Sequence, residues 1–188
     1  MLVAEKKITV EEFRQMEFEG EDAYYELING EIVKKAAPTP LHQRCSFILS
    51  LNIGNFVMGK KLGQVFTAPV DVYLHEFSHV LPDIVFISKE LAGIIDYKEG
   101  IMGVPDLVVE IISPSSIYKD RVLKNNDYEA AGVQEYWIVD PKNQAIEVYE
   151  NVEKSFKLFS FAAETGTIKS KVLEGLEIDV TSIFPAEK

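Results

Sequence analysis

At 188 residues, 47% apolar and 26% charged, the chain is long enough to bury a core as one domain spanning residues 1–188, and it carries no low-complexity tract or internal repeat. A net charge of −11 works against nucleic-acid binding through lysine and arginine alone, so such a partner would have to be met by a local basic cluster or through metal ions. A lone cysteine, Cys45, excludes an internal disulfide, and no stretch approaches the roughly 20 apolar residues of a membrane span.

In chain order, MLVAEKKITVEEF lacks a signal-peptide core, which together with the single thiol gives the expectation of a cytoplasmic protein. Thr9-Val10-Glu11-Glu12 is a capping box that predicts a short helix to about Phe18. Tyr24–Ile28 and Glu31–Val33 flank Asn29-Gly30, whose tolerance of positive φ suits a type I′ hairpin. The acidic run Glu17–Asp22 reads as solvated surface. Apolar residues Leu41, Cys45, Ile48, Leu49, Phe56 and Val57 fall at helical spacing and predict a long core helix to about Lys60. Strands are expected at Gln64–Thr67, Val70–Leu74 and Leu81–Ser88. Glu76-Phe77-Ser78 reads as a connecting loop. Leu107–Ile112 is a continuous run rich in β-branched residues, as in a strand buried on both faces. Ser113-Pro114-Ser115-Ser116 stops it and caps a helix from about Ile117 to Ala131, ended by Gly132. Strands at Glu135–Val139, Ala145–Tyr149, Ser155–Phe161 and Val172–Ile178 complete an α/β order that fits a mixed sheet flanked by helices.

Acidic groups interrupt this apolar framework. Asp106 and Glu110 lie four apart in an extended run and so share one face. Asp83 follows Pro82 at the head of another apolar strand. A charge in a buried strand is costly unless compensated, and a divalent cation compensates clustered carboxylates. Each group also has a plainer reading. Asp83 could end a turn, Glu110 could reach solvent at a strand edge, Glu26 could be the polar half of an exposed hairpin, and Asp106 sits at the strand entrance, which favours a structural role. Asp120, Lys124 and Tyr128 recur every four residues and form one helical stripe, for which a weak exposed Asp120–Lys124 pair is the plainer reading. His75 and His79 lack the further ligands a zinc site needs. Trp137 and Tyr136 fit core packing better than base stacking.

Five ordered segments carry a resemblance over nearly the whole chain: Tyr25–Glu31 (YELINGE), His42 at a helix start, Pro82-Asp83, Pro105–Ser115 (PDLVVEIISPS) and Gly132–Pro141 (GVQEYWIVDP). Together they resemble the Uma-two family of proposed endonucleases, within the restriction-endonuclease-like PD-(D/E)XK superfamily. The resemblance implies a restriction-endonuclease-like α/β fold, a mixed central sheet flanked by helices, here with an added N-terminal hairpin and C-terminal strands. It also implies Mg²⁺-dependent hydrolysis of phosphodiesters, with Mn²⁺ as a substitute, and DNA as the partner. Asp83 and Glu110 match the metal-binding acids, and the Ile111 carbonyl would complete the sphere. Glu26 matches a further acid near the centre. The superfamily's lysine two residues after the second acid is replaced by Ile112, and the resemblance moves that role to Lys124. It also brings His42 toward the centre. Two other readings stand beside the nuclease: a catalytically inactive member of the fold serving as a nucleic-acid or protein interaction module, and a homodimer formed through exposed apolar strands.

Overall fold

The computed structural model describes residues 6–18 and 24–184. Thr9 caps α1 (Val10–Arg14) through the full reciprocal box with Glu12, and the helix is shorter than its sequence pattern suggests. β1 (Tyr25–Ile28) and β2 (Glu31–Lys34) form the expected hairpin, with φ of 49° at Asn29 and 88° at Gly30. Lys7 packs where a Gly30 side chain would begin, 2.6 Å from its ideal Cβ position. α2 (Pro40–Lys60) starts on the Thr39 cap, with proline in its first turn. β3 (Gly63–Thr67), β4 (Val72–His75), β5 (Ser78–Val80) and β6 (Ile84–Ser88) follow, and two short strands, β7 (Ile95–Asp96) and β8 (Gly100–Ile101), lead to β9 (Leu107–Ile111). A π-helical segment, Lys119–Lys124, runs into α3 (Asn125–Ala131), which closes on Gly132 at φ 95°. The chain finishes with β10 (Glu135–Asp140), β11 (Ala145–Val152), β12 (Ser155–Ala163), β13 (Thr167–Lys169) and β14 (Glu177–Asp179).

The central sheet runs β12-β11-β10-β9-β6-β3 and is mixed, because β9 lies parallel to β10 and antiparallel to β6. A second sheet, β2-β1-β5-β4-β8-β7, carries the N-terminal hairpin. Side chains on the two faces of the central sheet enter different cores. Leu107, Val109 and Ile111 join Ile84, Phe86, Trp137 and the α2 residues Cys45, Leu49, Ile53 and Val57. Val108 and Ile112 instead join Val85, Ile87, Tyr128 and Val72, Val80 and Ile101 of the second sheet. Glu110, between Val108 and Ile112 in a period-two strand, therefore points into the second core. The inner strands β6, β9 and β10 are buried on both faces, as a covered sheet requires.

Three local expectations change. The connecting loop expected over Glu76-Phe77-Ser78 narrows to a two-residue turn, Glu76-Phe77, with Ser78 already in β5. The helix expected over 117–131 is regular only in its second half. Val172–Ile178 is mostly turns, with its last two residues in β14, because the buried Glu135 carboxylate takes hydrogen bonds from the Lys171 and Val172 amides and from Ser170 Oγ, and so holds that chain out of any ladder. Among the described residues, no helix is long and apolar enough to cross a membrane.

Candidate active site

Asp83 and Glu110 come together through strand register. Ile84 faces Val109 and Val85 faces Val108, so the next antiparallel pair along the same register is Asp83 opposite Glu110, with both side chains on one face. The link is reinforced by the Ile111 amide, which donates to Asp83 Oδ2 at 2.8 Å. Both carboxylates are 2% exposed. They line a cavity of about 220 Å³ together with Lys35, His42, Ile111, Lys119, Asp120 and Lys124.

Lys124 lies at the centre of this cluster. Its ammonium is 2.7 Å from Glu110 Oε1 and 2.6 Å from Glu26 Oε1, with Asp120 at 3.9 Å, and the residue is fully buried. The plain reading of Lys124 as an exposed lysine paired weakly with Asp120 therefore does not describe it. Glu26 is also fully buried, rather than being the polar half of an exposed hairpin. The π-helical winding has a specific consequence here. Its i→i+5 closure lets residues five apart share a face, so Lys119 and Lys124 both reach Glu26, at Oε2 (3.1 Å) and Oε1 (2.6 Å). The Leu81 amide adds a third donor to Glu26. The stripe legible in the sequence closes from the other side, since Tyr128 donates its hydroxyl hydrogen to Glu110 Oε1 at 2.8 Å.

The carboxyl groups divide electrostatically. Burial pushes Glu26 up, but Lys124, Lys35 and Lys119 outweigh it and hold the group at about 2. Burial likewise opposes ionisation of Asp83, and the His42 hydrogen bond, Lys35 and the Ile111 amide overcome it, leaving Asp83 well below the usual carboxylate range. Glu110 goes the other way. Burial, with Asp83 and Asp120 nearby, outweighs Lys124 and raises it to about 7. Asp120 is also raised, chiefly by burial. Lys124 is held firmly protonated, because Glu110, Glu26 and Asp120 outweigh the cost of burying its charge.

The sequence reading missed two members. Lys35 bridges the Leu81 carbonyl and Asp83 Oδ1, and Lys119 holds Glu26. Neither falls in a motif, and only the hairpin and the π-helical winding bring them in. His42 reaches Asp83 Oδ2 through Nε2 at 3.1 Å from the first turn of α2, while its Nδ1 is buried without a hydrogen-bond partner among the described residues. Asp106 lies apart from this cluster. It accepts from the Ser88 amide and from Gln134 Nε2, tying the entrance of β9 to its neighbours, which is the structural role its position suggests. His75 pairs with Asp127 and His79 with Asp71, each in its own local contact. Tyr136 and Trp137 are fully buried in the core. Of the acidic run Glu17–Asp22, residues 19–22 lie outside the described residues.

The donor set suits a hard cation that keeps part of its water shell. Asp83, Glu110 and the Ile111 carbonyl are all oxygen donors, and Glu110 Oε2 takes no hydrogen bond among the described residues. It does not suit a closed protein cage, since among the described residues no three His, Cys, Asp or Glu side chains gather as a ligand set.

The family model Uma2, described as "Putative restriction endonuclease", matches residues 10–181. The chain is 27% identical over 173 residues to uncharacterized protein sll1609 of Synechocystis sp., across 90% of this chain and 96% of that one. Its fold is similar to the crystal structure described as a "putative nuclease belonging to DUF820" from Anabaena variabilis, with a TM-score of 0.75 over 94% of this chain and 97% of that chain at 19% identity. The fold is thus restriction-endonuclease-like.

Proposed function

The chain belongs to the Uma2 family, described as "Putative restriction endonuclease", and we propose that the cavity around Asp83 and Glu110 is the centre of a divalent-metal-dependent endonuclease that hydrolyses phosphodiester bonds of DNA. The observation that carries this reading is the fully buried Lys124 ammonium, shared between Glu110 and Glu26 and set beside Asp83 on the neighbouring strand. An ion pair buried this completely is a poor stability device, since packed apolar side chains of similar volume often do as well or better.

Asp83, Glu110 and the Ile111 carbonyl would hold Mg²⁺, or Mn²⁺ in its place, with waters completing the sphere. When bound, such an ion neutralises charge on the phosphoryl oxygens and makes the attacking water easier to deprotonate. Lys124 supplies a fixed positive charge for the developing transition state, at the place where Ile112 leaves the strand without a lysine. Glu26 holds the Lys124 ammonium through Oε1 and Lys119 through Oε2, and so acts as a positioning residue that aims Lys124. Lys35 and His42 fix the Asp83 carboxylate.

The test is cleavage of DNA, offered both as single-stranded and as duplex oligonucleotide, by purified protein with Mg²⁺ or Mn²⁺. Wild type should cut, and Asp83→Ala should fall to background. Equal activity in the variant would remove the assignment. A second reading, an inactive nuclease fold serving as an interaction module, draws on the absence of a three-ligand set among the described residues. Calorimetry that detects no divalent-ion binding would favour it.

A further inference from the structure

From the burial of the acting groups and the charge around the cavity, we infer that the substrate enters as an unpaired strand, so that single-stranded or locally melted DNA, rather than intact duplex, is the substrate class. This inference rests on the nuclease reading above. The groups proposed to act on the phosphate lie at the bottom of a recess: Asp83 and Glu110 are 2% exposed, and Lys124 is fully buried. A cavity of about 220 Å³ lies over them. Duplex DNA is stiff over about 150 base pairs and holds its phosphates at fixed positions on a broad cylinder, so it cannot seat one of them on groups this buried without bending or local opening. An unpaired strand bends freely at each nucleotide and can.

The charge around the cavity points the same way. The lysines lining it, Lys35, Lys119 and Lys124, are all engaged by carboxylates. They offer no spare clamp for the dense backbone of a duplex, and the net charge of −11 opposes one. Duplex binding leans most on phosphate neutralisation, whereas a single strand can also gain from stacking its bases. The rim supplies a platform for that. Tyr24 is 56% exposed at the mouth, held by its carbonyl accepting from the Lys35 amide, and the exposed prolines Pro38 and Pro69 line the same cavity.

The experiment compares a labelled 30-nucleotide strand with the same strand annealed to its complement. Cleavage is followed with Mn²⁺, and binding by fluorescence anisotropy with Ca²⁺ in its place. At least a tenfold preference for the single strand is expected in both, and Tyr24→Ala should weaken single-strand binding several-fold. A duplex with a central unpaired gap should be cut only in the gap. Duplex cut or bound as well as the single strand would overturn the inference while leaving the nuclease reading intact. If neither is bound or cut, the nuclease reading itself fails and the inference falls with it.

Discussion

At the scale of single residues, the cluster around Lys124 behaves as a unit, so its members should not respond additively to substitution. Removing the ammonium with Lys124→Met strands Glu110 and leaves Glu26 with Lys119 alone among its close ammonium partners. Breaking a buried pair in this way costs about 3–5 kcal/mol, or roughly 6–20 °C of Tm in a chain of this size. Adding Glu110→Gln should restore part of that loss, because it removes the stranded charge. A double variant as unstable as the sum of the two singles would mean that the two groups do not interact. Glu26 gives a pH signature. Its folded-state value, about 2, lies below the ordinary 4.5, so its ionised form stabilises the fold above about pH 4.5, and that contribution is lost as pH falls through about 2. Glu26→Gln should therefore be clearly less stable than wild type at pH 7, with the gap in denaturant midpoint shrinking as pH drops from 4.5 toward 2. A gap that stays constant over that window would show that Glu26 is not held ionised by its lysines.

At the scale of elements, legibility followed locality. The Asn29-Gly30 hairpin and the Thr9 capping box each depend on residues a few positions apart, and each was readable. β9 was readable because its apolar run has few other uses, and the Asp120-Lys124-Tyr128 stripe announced its face by spacing. The π-helical winding was not readable, since 3.6-residue periodicity has no symbol for a turn that closes five residues on, and Lys119 entered the site through that turn. Lys35 was hidden for another reason: it sits just past a hairpin strand, and its reach to Asp83 depends on the second sheet folding against β6. The join between α3 and β10 can be tested directly. Gly132 lies at φ 95° with open space around it, so an added side chain meets no atoms but must adopt a left-handed backbone. Gly132→Ala should cost about 1–2 kcal/mol, visible as a lower Tm, and an unchanged Tm would mean that the helix end relaxes into another cap.

At the scale of the whole molecule, the net charge and the buried site make opposite demands on cations, and the two can be separated. A surface at −11 collects divalent ions loosely wherever carboxylates are exposed, and that contribution should stabilise wild type and any single-site variant alike. A built site adds a saturable term present only in the folded chain. At a hundredfold excess over Kd it contributes about 2.7 kcal/mol, or roughly 5–11 °C for a chain of this length. Asp83 sits opposite Glu110 in strand register and accepts the amide of the residue beside it, so Asp83→Ala removes one of the two carboxylates while leaving the surface charge nearly unchanged. Titrating Mn²⁺ against both proteins in a thermal scan should therefore give a Tm that climbs and levels off in wild type, and in Asp83→Ala only the shallow, unsaturated rise of surface binding. Because the readout is melting rather than cleavage, it holds whether or not a suitable substrate has been found. Parallel curves for the two proteins would place the bound ions on the surface and leave the recess to its lysines alone.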